Sequence, residues 1–359
     1  MVDYVWLVWF DLNVNMVLLR RSLYIVSPKY DWIGFIGAPL IALIIGWGVS
    51  RRFIPNQILN IGYFSGELWD LLVLILMTQC HLFITVVRAY GNSLIFNSFK
   101  WRLVVVPPLL FICGFFSQTF LIAQLVVNTW WDAYHSACQT FGFTRLYDAK
   151  AGDASTEMRH WDRVLSVLIY MGPIIGGATL IEHLRTFSHF SMIELFFLAD
   201  VPATASLYSS KILLLVIIFT AGFIPCYLVR AYFHAKHHPI SILKIAILMI
   251  TAIVSIMAWG FNSFGMAFII ANFFHAWQYY AMLFWSEKRS LMTRFRAIRL
   301  GSLGVFVVFA SLTVLFAGFL LFVINPKDPS RLGVCFLATV ATCHFWFDGF
   351  IWSVRKDHV

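Results

Sequence analysis

The chain has 359 residues, of which 60% are apolar and 12% charged, and its mean hydropathy is +0.81. Soluble domains carry about 25% charged residues, so this composition excludes an ordinary soluble protein and predicts an all-α, polytopic transmembrane helical bundle. The net charge of +9 does not indicate a nucleic-acid partner, because the basic residues stand in short loops between apolar runs, where they can meet the headgroups of membrane lipids.

Residues 1–30 are expected to form an interfacial segment ahead of a single transmembrane domain, 31–359. Trp6, Trp9 and Phe10 belong to an apolar helix face that precedes Arg20 and Arg21. The segment has no small-residue cleavage site typical of a secretory signal.

Ten apolar segments follow, each close to the roughly 20 residues that a membrane span needs. They are 31–49, 68–88, 101–116, 118–146, 163–185, 211–233, 242–261, 264–286, 301–324 and 332–355. With these spans, 20 of the 26 Lys and Arg residues fall on one side of the membrane and 6 on the other. The positive-inside rule therefore predicts that both termini are cytoplasmic. The pattern fits a bacterial inner (cytoplasmic) membrane.

Four histidines lie well inside predicted spans: His81, His135, His275 and His344. Ionisable residues at such depth are costly and mark functional sites. All four helices run in the same direction, and the histidines precede the cytoplasmic basic residues by 7, 10, 13 and 11 positions. At 1.5 Å per residue they lie about 10–20 Å from that surface, so they can share one layer of the bundle.

Polar residues accompany these histidines on the same helix faces, at spacings of three or four. Imidazole suits iron, zinc and copper, and nearby carboxylates favour iron over copper. The sequence thus predicts a shared metal site with second-shell or catalytic support from Asp132, Gln139, Gln278, Tyr279 and Asp348. Haem is the main rival cofactor, since two histidines on facing helices can bind it axially.

A separate run, His234-Ala-Lys-His237-His238, stands at the end of the sixth span. It is either a solvated helix end at the headgroup level or a source of additional metal ligands. It resembles one histidine box of the membrane fatty-acid desaturases and hydroxylases, which use several such boxes.

The motifs His81-Leu-Phe, Tyr134-His135-Ser, Phe274-His275-Ala-Trp-Gln-Tyr and Cys343-His344-Phe-Trp-Phe-Asp resemble those of the bacterial Brp/Blh membrane proteins. Those are iron-dependent oxygenases that cleave carotenoids such as β-carotene. The resemblance implies that His81, His135 and His275 are iron ligands. The family has a further histidine one turn after the third, where this chain has Tyr279. His344, or one residue of the 234–238 run, can replace that ligand; alternatively the site has lost its metal.

We therefore expect a membrane-embedded non-haem iron dioxygenase for an apolar isoprenoid or lipid, with aromatics such as Phe274, Trp277 and Phe345 along a substrate tunnel. One alternative is a non-catalytic subunit that packs against partners in a membrane complex and binds lipid, pigment or haem. A transporter is the third hypothesis, against which stands the lack of an inverted repeat. Histidines that converge on one point favour the oxygenase, whereas separated histidines favour the non-catalytic subunit.

Overall fold

The computed structural model describes residues 23–53, 80–176, 209–262, 264–294, 301–324 and 331–352, and within them all regular structure is helical. A π-helical segment, Trp32–Ile36, lies between the first two helices. The helices are α1 (Pro28–Asp31), α2 (Ala38–Phe53), α3 (His81–Ala89), α4 (Ser93–Phe116), α5 (Gln118–Ala151), α6 (Arg159–Gly176), α7 (Ser209–Ala235), α8 (Ile242–Phe261), α9 (Phe264–Arg294), α10 (Gly301–Ile324) and α11 (Arg331–Ile351).

Four of the described helices are long and apolar enough to cross a membrane: α4, α7, α8 and α11. A fifth span results if the segments 28–36 and 38–46, bent by 52°, are counted together. Large apolar side chains on these helices are exposed, including Leu215 and Leu228 of α7 and Ile242 of α8. These features indicate an integral membrane protein. Most of the predicted interfacial segment, the first half of the second predicted span and the end of the fifth lie outside the described residues, and the count of ten spans stays a prediction.

Side-chain caps determine where several helices begin. The Asn92 side chain accepts hydrogen bonds from the backbone N–H groups of Leu94 and Ile95 and so caps α4. The Ser117 hydroxyl accepts one from the N–H of Phe120 at the start of α5. Such caps satisfy N–H groups that have no partner within their own helix. Ser117 therefore separates two apolar helices that no polar loop divides.

Helix α5 is longer than the predicted span 118–146 and ends at Gly152. The φ of Gly152 is +96°, in the left-handed region, where glycine avoids the steric cost that a side chain imposes. Its N–H donates to the carbonyl of Ala149, while the N–H of Asp153 donates to that of Asp148. This turn places Asp153 at the start of the connection to α6.

The four histidine-bearing helices, α3, α5, α9 and α11, pack as one group, since α11 contacts both α3 and α5, and α9 contacts α3. The side-chain amide of Gln139 donates to that of Gln278, joining α5 to α9. Gln278 in turn donates to the carbonyl of Phe35 in the π-helical segment. That segment lies very close to α9, because a Cβ on Gly34 would be only 3.0 Å from the Cβ of Ala281.

Arg88 and Glu287 form a fully buried ion pair between α3 and α9, with 2.5 Å between Nη1 and Oε1. The Arg88 guanidinium also donates to the carbonyl of Ile351 and lies 3.9 Å from the centre of the Trp352 ring. Arg88 is the basic residue seven positions after His81 that the sequence places at the cytoplasmic end of its span. In the structure its side chain is only 1% exposed. A paired and hydrogen-bonded charge can be buried, and this pair ties α3 to the ends of α9 and α11.

A second buried charge network joins α5, α6 and α8. Lys244 Nζ lies 2.9 Å from a carboxylate oxygen of Asp148 and 2.8 Å from one of Asp162. Asp162 also accepts a hydrogen bond from the Tyr227 hydroxyl of α7. The network holds together the helices on the side of the bundle that carries the connection between α5 and α6.

Candidate metal centre

The four predicted histidines converge at the centre of the helix group. Their exposed fractions are 1% for His81, His275 and His344 and 7% for His135. His81 lies 5.1 Å from His275 and 5.3 Å from His344 between ring centroids. His135 lies 5.2 Å from His275 and 4.7 Å from His344. Helices far apart in the sequence therefore bring four imidazoles into one water-poor cluster.

The nitrogen atoms of the cluster have separations close to those of ligands to one ion. Two ligands at about 2.1 Å from a metal lie roughly 3.0 Å apart on adjacent octahedral positions, roughly 3.4 Å apart in a tetrahedron and about 4.2 Å apart when opposite. Nε2 of His344 lies 3.1 Å from Nε2 of His135. Ligand atoms of His81, His275 and His344 all lie within 4.8 Å of one another. These histidines can hold a metal ion.

The His275 ring gives the strongest sign that the cluster is built for an ion. Within the described part of the chain, neither of its ring nitrogens has a hydrogen-bond partner, although the residue is fully buried. A buried polar group without a partner costs about 1–3 kcal/mol. A metal bound through one nitrogen would give that nitrogen a partner, whereas a histidine used only for packing would leave both nitrogens without one.

A chain of hydrogen bonds orients the His344 ring. Its Nδ1 lies 2.6 Å from the Thr85 hydroxyl, which lies 2.5 Å from the Tyr279 hydroxyl. Tyr279 donates to Oδ1 of Asp348, at 3.1 Å. With Asp348 ionised, the single Tyr279 proton is used there, so Thr85 donates to Tyr279 and accepts from Nδ1–H of His344. The Nε2 lone pair of His344 then accepts a hydrogen bond from Nε2–H of His135, at 3.1 Å, and it would bind a metal that replaces the hydrogen between the two rings.

The two carboxylate oxygens of Asp348 have different surroundings. Its Oδ1 accepts from both Tyr279 and the Trp352 indole, each at 3.1 Å. Its Oδ2 faces the cluster, 3.6 Å from Nε2 of His135 and 3.8 Å from Nε2 of His344. His135, His344 and Asp348 thus form a second group with metal-ligand spacing. Two histidines and one carboxylate are the ligand set of many non-haem iron oxygenases.

The other predicted support residues have different positions. Gln139 donates to the backbone carbonyl of His275 and to Gln278, so both glutamines hold helices together rather than a histidine ring. Asp132 is half-buried, and the described contacts do not join it to His135. Thr85, which directly contacts His344, was not singled out in the sequence. Its position four residues after His81 on α3 was the available signal.

The 234–238 run does not belong to this cluster. His234 and His238 contact Asp153, in the connection between α5 and α6, and the His237 side chain is exposed. The structure therefore provides His344, and no residue of this run, beside the other three histidines.

An apolar cavity of about 280 Å³ extends from the cluster towards α4. Thr85 and His344 are among its polar lining residues, and most other lining side chains are apolar, contributed by α3, α4 and α11. Its aromatic lining comes from Phe83, Phe111, Phe336 and Phe347, with Tyr90. The expectation that Phe274, Trp277 and Phe345 line the tunnel is wrong for this cavity: Phe274 is buried in the core, Trp277 donates to the carbonyl of Ile33, and Phe345 packs on the His135 ring.

The cavity adjoins two consecutive prolines of α4, Pro107 and Pro108. Prolines inside a helix remove backbone hydrogen bonds and tend to bend it. Outward-facing neighbours on α4, including Val104 and Leu109, are exposed in a helix apolar enough to span the bilayer. The cavity thus lies beside a lipid-compatible surface.

In comparisons with known proteins, no family model, curated protein or solved structure matches the chain. The resemblance to the Brp/Blh proteins stays a prediction that rests on the histidine motifs.

The bond from Thr85 to His344 can be tested by Thr85→Val, which removes a hydroxyl with little change in shape. We expect metal affinity to fall roughly 10–100-fold, as is usual when a group that orients a metal ligand is lost. The measurement is metal retention during dialysis against a graded chelator. Thr313→Val is the matched control, because among the described residues the Thr313 hydroxyl donates to the carbonyl of Phe309 in its own helix. Equal retention in both variants would contradict the orienting role of Thr85.

Proposed function

We propose that this chain is a membrane-embedded non-haem iron oxygenase for an apolar isoprenoid or lipid, with carotenoid cleavage as the leading reaction. The observation that carries the proposal is the convergence of four histidines and Asp348, with both His275 ring nitrogens lacking a hydrogen-bond partner among the described residues. Separated histidines would favour the pigment- or haem-binding subunit. The ten spans, the cytoplasmic termini and a bacterial inner membrane belong to the same proposal.

Iron is the ion that the donor set favours. Imidazole and carboxylate together suit Fe(II), which can activate O₂ when coordination positions remain open. Haem fits less well, because two axial histidines bind on opposite sides of the iron. With each ligand at about 2.1 Å, their nitrogens would be about 4.2 Å apart, and the macrocycle must also fit between the two rings. The 3.1 Å separation of the His135 and His344 nitrogens instead matches neighbouring ligands on one ion.

The hydrogen-bond chain also favours a single ion. Thr85 occupies Nδ1 of His344, so this ring offers one lone pair, which can bind one metal. His344 belongs to both groups with ligand spacing, the one with His81 and His275 and the one with His135 and Asp348. We therefore treat the two groups as overlapping descriptions of one site.

The remaining residues bind and position the substrate. An apolar chain in the cavity would be held by contacts with side chains such as Phe336 and Phe347, and it would exclude water from the cluster. Because Thr85 and His344 both line the cavity, a substrate bound there would lie next to His344. Tyr279 is held by Thr85 and Asp348 and is 3% exposed, so it serves to keep the ligands in place.

Filling the cavity tests the function. Val340 lines the cavity. Val340→Trp is expected to abolish oxygen consumption and aldehyde formation with β-carotene in mixed micelles, because the indole occupies the space for the substrate. Iron content should stay at the wild-type value. Leu315→Trp is the matched control, since Leu315 lies on α10 and is 70% exposed. Absence of any carotenoid, isoprenoid or fatty-acyl oxidation by iron-loaded wild-type protein would contradict the proposed reaction, and unchanged activity in Val340→Trp would contradict the assignment of the cavity.

A further inference from the structure

A third group with metal-ligand spacing, outside the central cluster, consists of Asp153, His234 and His238, whose ligand atoms lie within 4.8 Å of one another. Nε2 of His234 lies 2.8 Å from Oδ2 of Asp153, and Nδ1 of His238 lies 3.4 Å from Oδ1. The two imidazole rings are stacked, with 4.3 Å between centroids and 11° between planes. Both rings therefore present nitrogen atoms to one carboxylate.

The local backbone creates this arrangement. Helix α7 ends at Ala235, and the N–H groups of His237 and His238 both donate to the carbonyl of His234. This turn keeps His238 above His234, while His237 points into solvent. On the other side, Gly152 ends α5 and directs the chain into Asp153.

A histidine–aspartate hydrogen bond alone does not account for the cluster. Nδ1 of His234 is buried and has no hydrogen-bond partner among the described residues, although the side chain is only 8% exposed. Oε2 of Glu157 lies 3.6 Å from it, beyond hydrogen-bond distance. His238 Nδ1 and Asp153 Oδ1 face each other at 3.4 Å without forming a described hydrogen bond. Three side chains thus direct donor atoms to a small region without satisfying one another fully.

We propose that Asp153, His234 and His238 bind a divalent transition-metal cation of the zinc type, in a site separate from the central cluster. Two imidazoles and one carboxylate are ligands that zinc accepts, and a fourth position remains for water or for Glu157. Glu157 now pairs with Arg230, at 2.9 Å, so its side chain must exchange partners to become a ligand. The bound cation would fasten the connection between α5 and α6 to the end of α7.

The charge and accessibility of the site suit a reversibly bound ion. Burial raises the pKa of Asp153, but hydrogen bonds from His234 and Ser155 outweigh it, and the pKa lies below its ordinary value. His238 is 31% exposed and Glu157 50% exposed, so an ion can enter from the aqueous side. Asp153, at 3%, forms the inner wall.

The test compares His238→Ala with His237→Ala in the full-length protein in detergent, titrated with Zn²⁺ against a chromogenic chelator. His237 is one residue away and exposed, so its loss controls for general binding by surface histidines. We expect His238→Ala to lose one zinc equivalent, or to bind it more than about 100-fold more weakly, because loss of a ligand exceeds the 10–100-fold effect of an outer-shell change. His237→Ala should bind as the wild type does. A zinc-dependent rise in melting temperature should likewise disappear only in His238→Ala.

Two results would overturn the proposal: identical zinc binding by both variants, or no zinc binding by wild-type protein whose central cluster is already loaded with iron. Asp153→Asn adds a second variant, because asparagine keeps an acceptor for His234 but loses the charge that a cation requires. Iron and zinc are quantified separately by mass spectrometry. If the oxygenase proposal is wrong, the wild type and all variants will lack iron or activity. If only the zinc-site proposal is wrong, iron content will be unchanged and the zinc measurements alone will differ from expectation.

Discussion

Replacing His344 by asparagine is expected to remove nearly all iron from the purified protein while its helical fold persists. The asparagine amide can occupy the position of Nδ1 and keep the hydrogen bond to Thr85, but it has no atom in place of Nε2. Because His344 belongs to both ligand groups, its loss affects the site whichever group dominates. The measurement is iron per protein by mass spectrometry, with helicity and melting temperature recorded on the same samples.

His135→Ala and His275→Ala extend this experiment. Both should lose iron, because each ring approaches another histidine of the cluster at about 5 Å. Each leaves a cavity in the core, so a moderate loss of stability is expected, on the order of a few kcal/mol. His237→Ala, at an exposed position, should retain full iron content. Wild-type protein without iron after careful iron supply, or iron unchanged in all cluster variants, would leave a non-catalytic membrane subunit as the better account.

The meeting of the four histidines was predictable in part from the sequence. Each lies in an apolar run that ends in basic residues, so the helical rise converts sequence spacing into a similar expected height along each helix. The convergence depends also on which face of each helix turns inwards. Helices that are apolar on all sides carry little information about that face. Packing between distant helices, such as α11 against α3 and α5, decides it.

Thr85 shows what spacing alone cannot reveal. Threonine is common in membrane helices, and the spacing of four residues from His81 is the one feature of the sequence that points to Thr85. Its role follows from contacts with Tyr279 and His344, which lie 194 and 259 positions away. Arg88 is similar, since its charge suggested a cytoplasmic loop and only the partner Glu287 explains its burial. Ion pairs between distant helices cannot be deduced from a positive-inside count.

The 234–238 run illustrates the opposite error. Its histidines resemble a metal-binding box in sequence, which leaves open a solvated helix end or additional ligands for the site of the membrane histidines. The helix turn after Ala235 instead directs His234 and His238 towards Asp153. Asp153 had no distinguishing mark among the charged residues of its loop. The histidine motif therefore points to residues of one local cluster, but it does not reveal Asp153, the carboxylate that both rings contact.

Asp348→Asn is expected to lower iron affinity by more than the roughly 10–100-fold that an outer-shell change produces, because the variant removes a charged ligand. Asparagine keeps an oxygen that can accept from Tyr279 and Trp352, so the hydrogen-bond chain to His344 can persist. The atom that loses its charge is the one that faces His135 and His344, at 3.6 and 3.8 Å. Iron retention against a chelator series measures the change.

Trp352→Phe provides the contrast, because it removes one hydrogen bond to Oδ1 of Asp348 and leaves Oδ2 unchanged. Its iron affinity should fall much less than that of Asp348→Asn. If instead Asp348 only orients Tyr279, Asp348→Asn should retain iron about as well as Trp352→Phe does, since both keep an acceptor for Tyr279. The ratio of the two affinities thus separates a carboxylate that binds the metal from one that supports a histidine-only site.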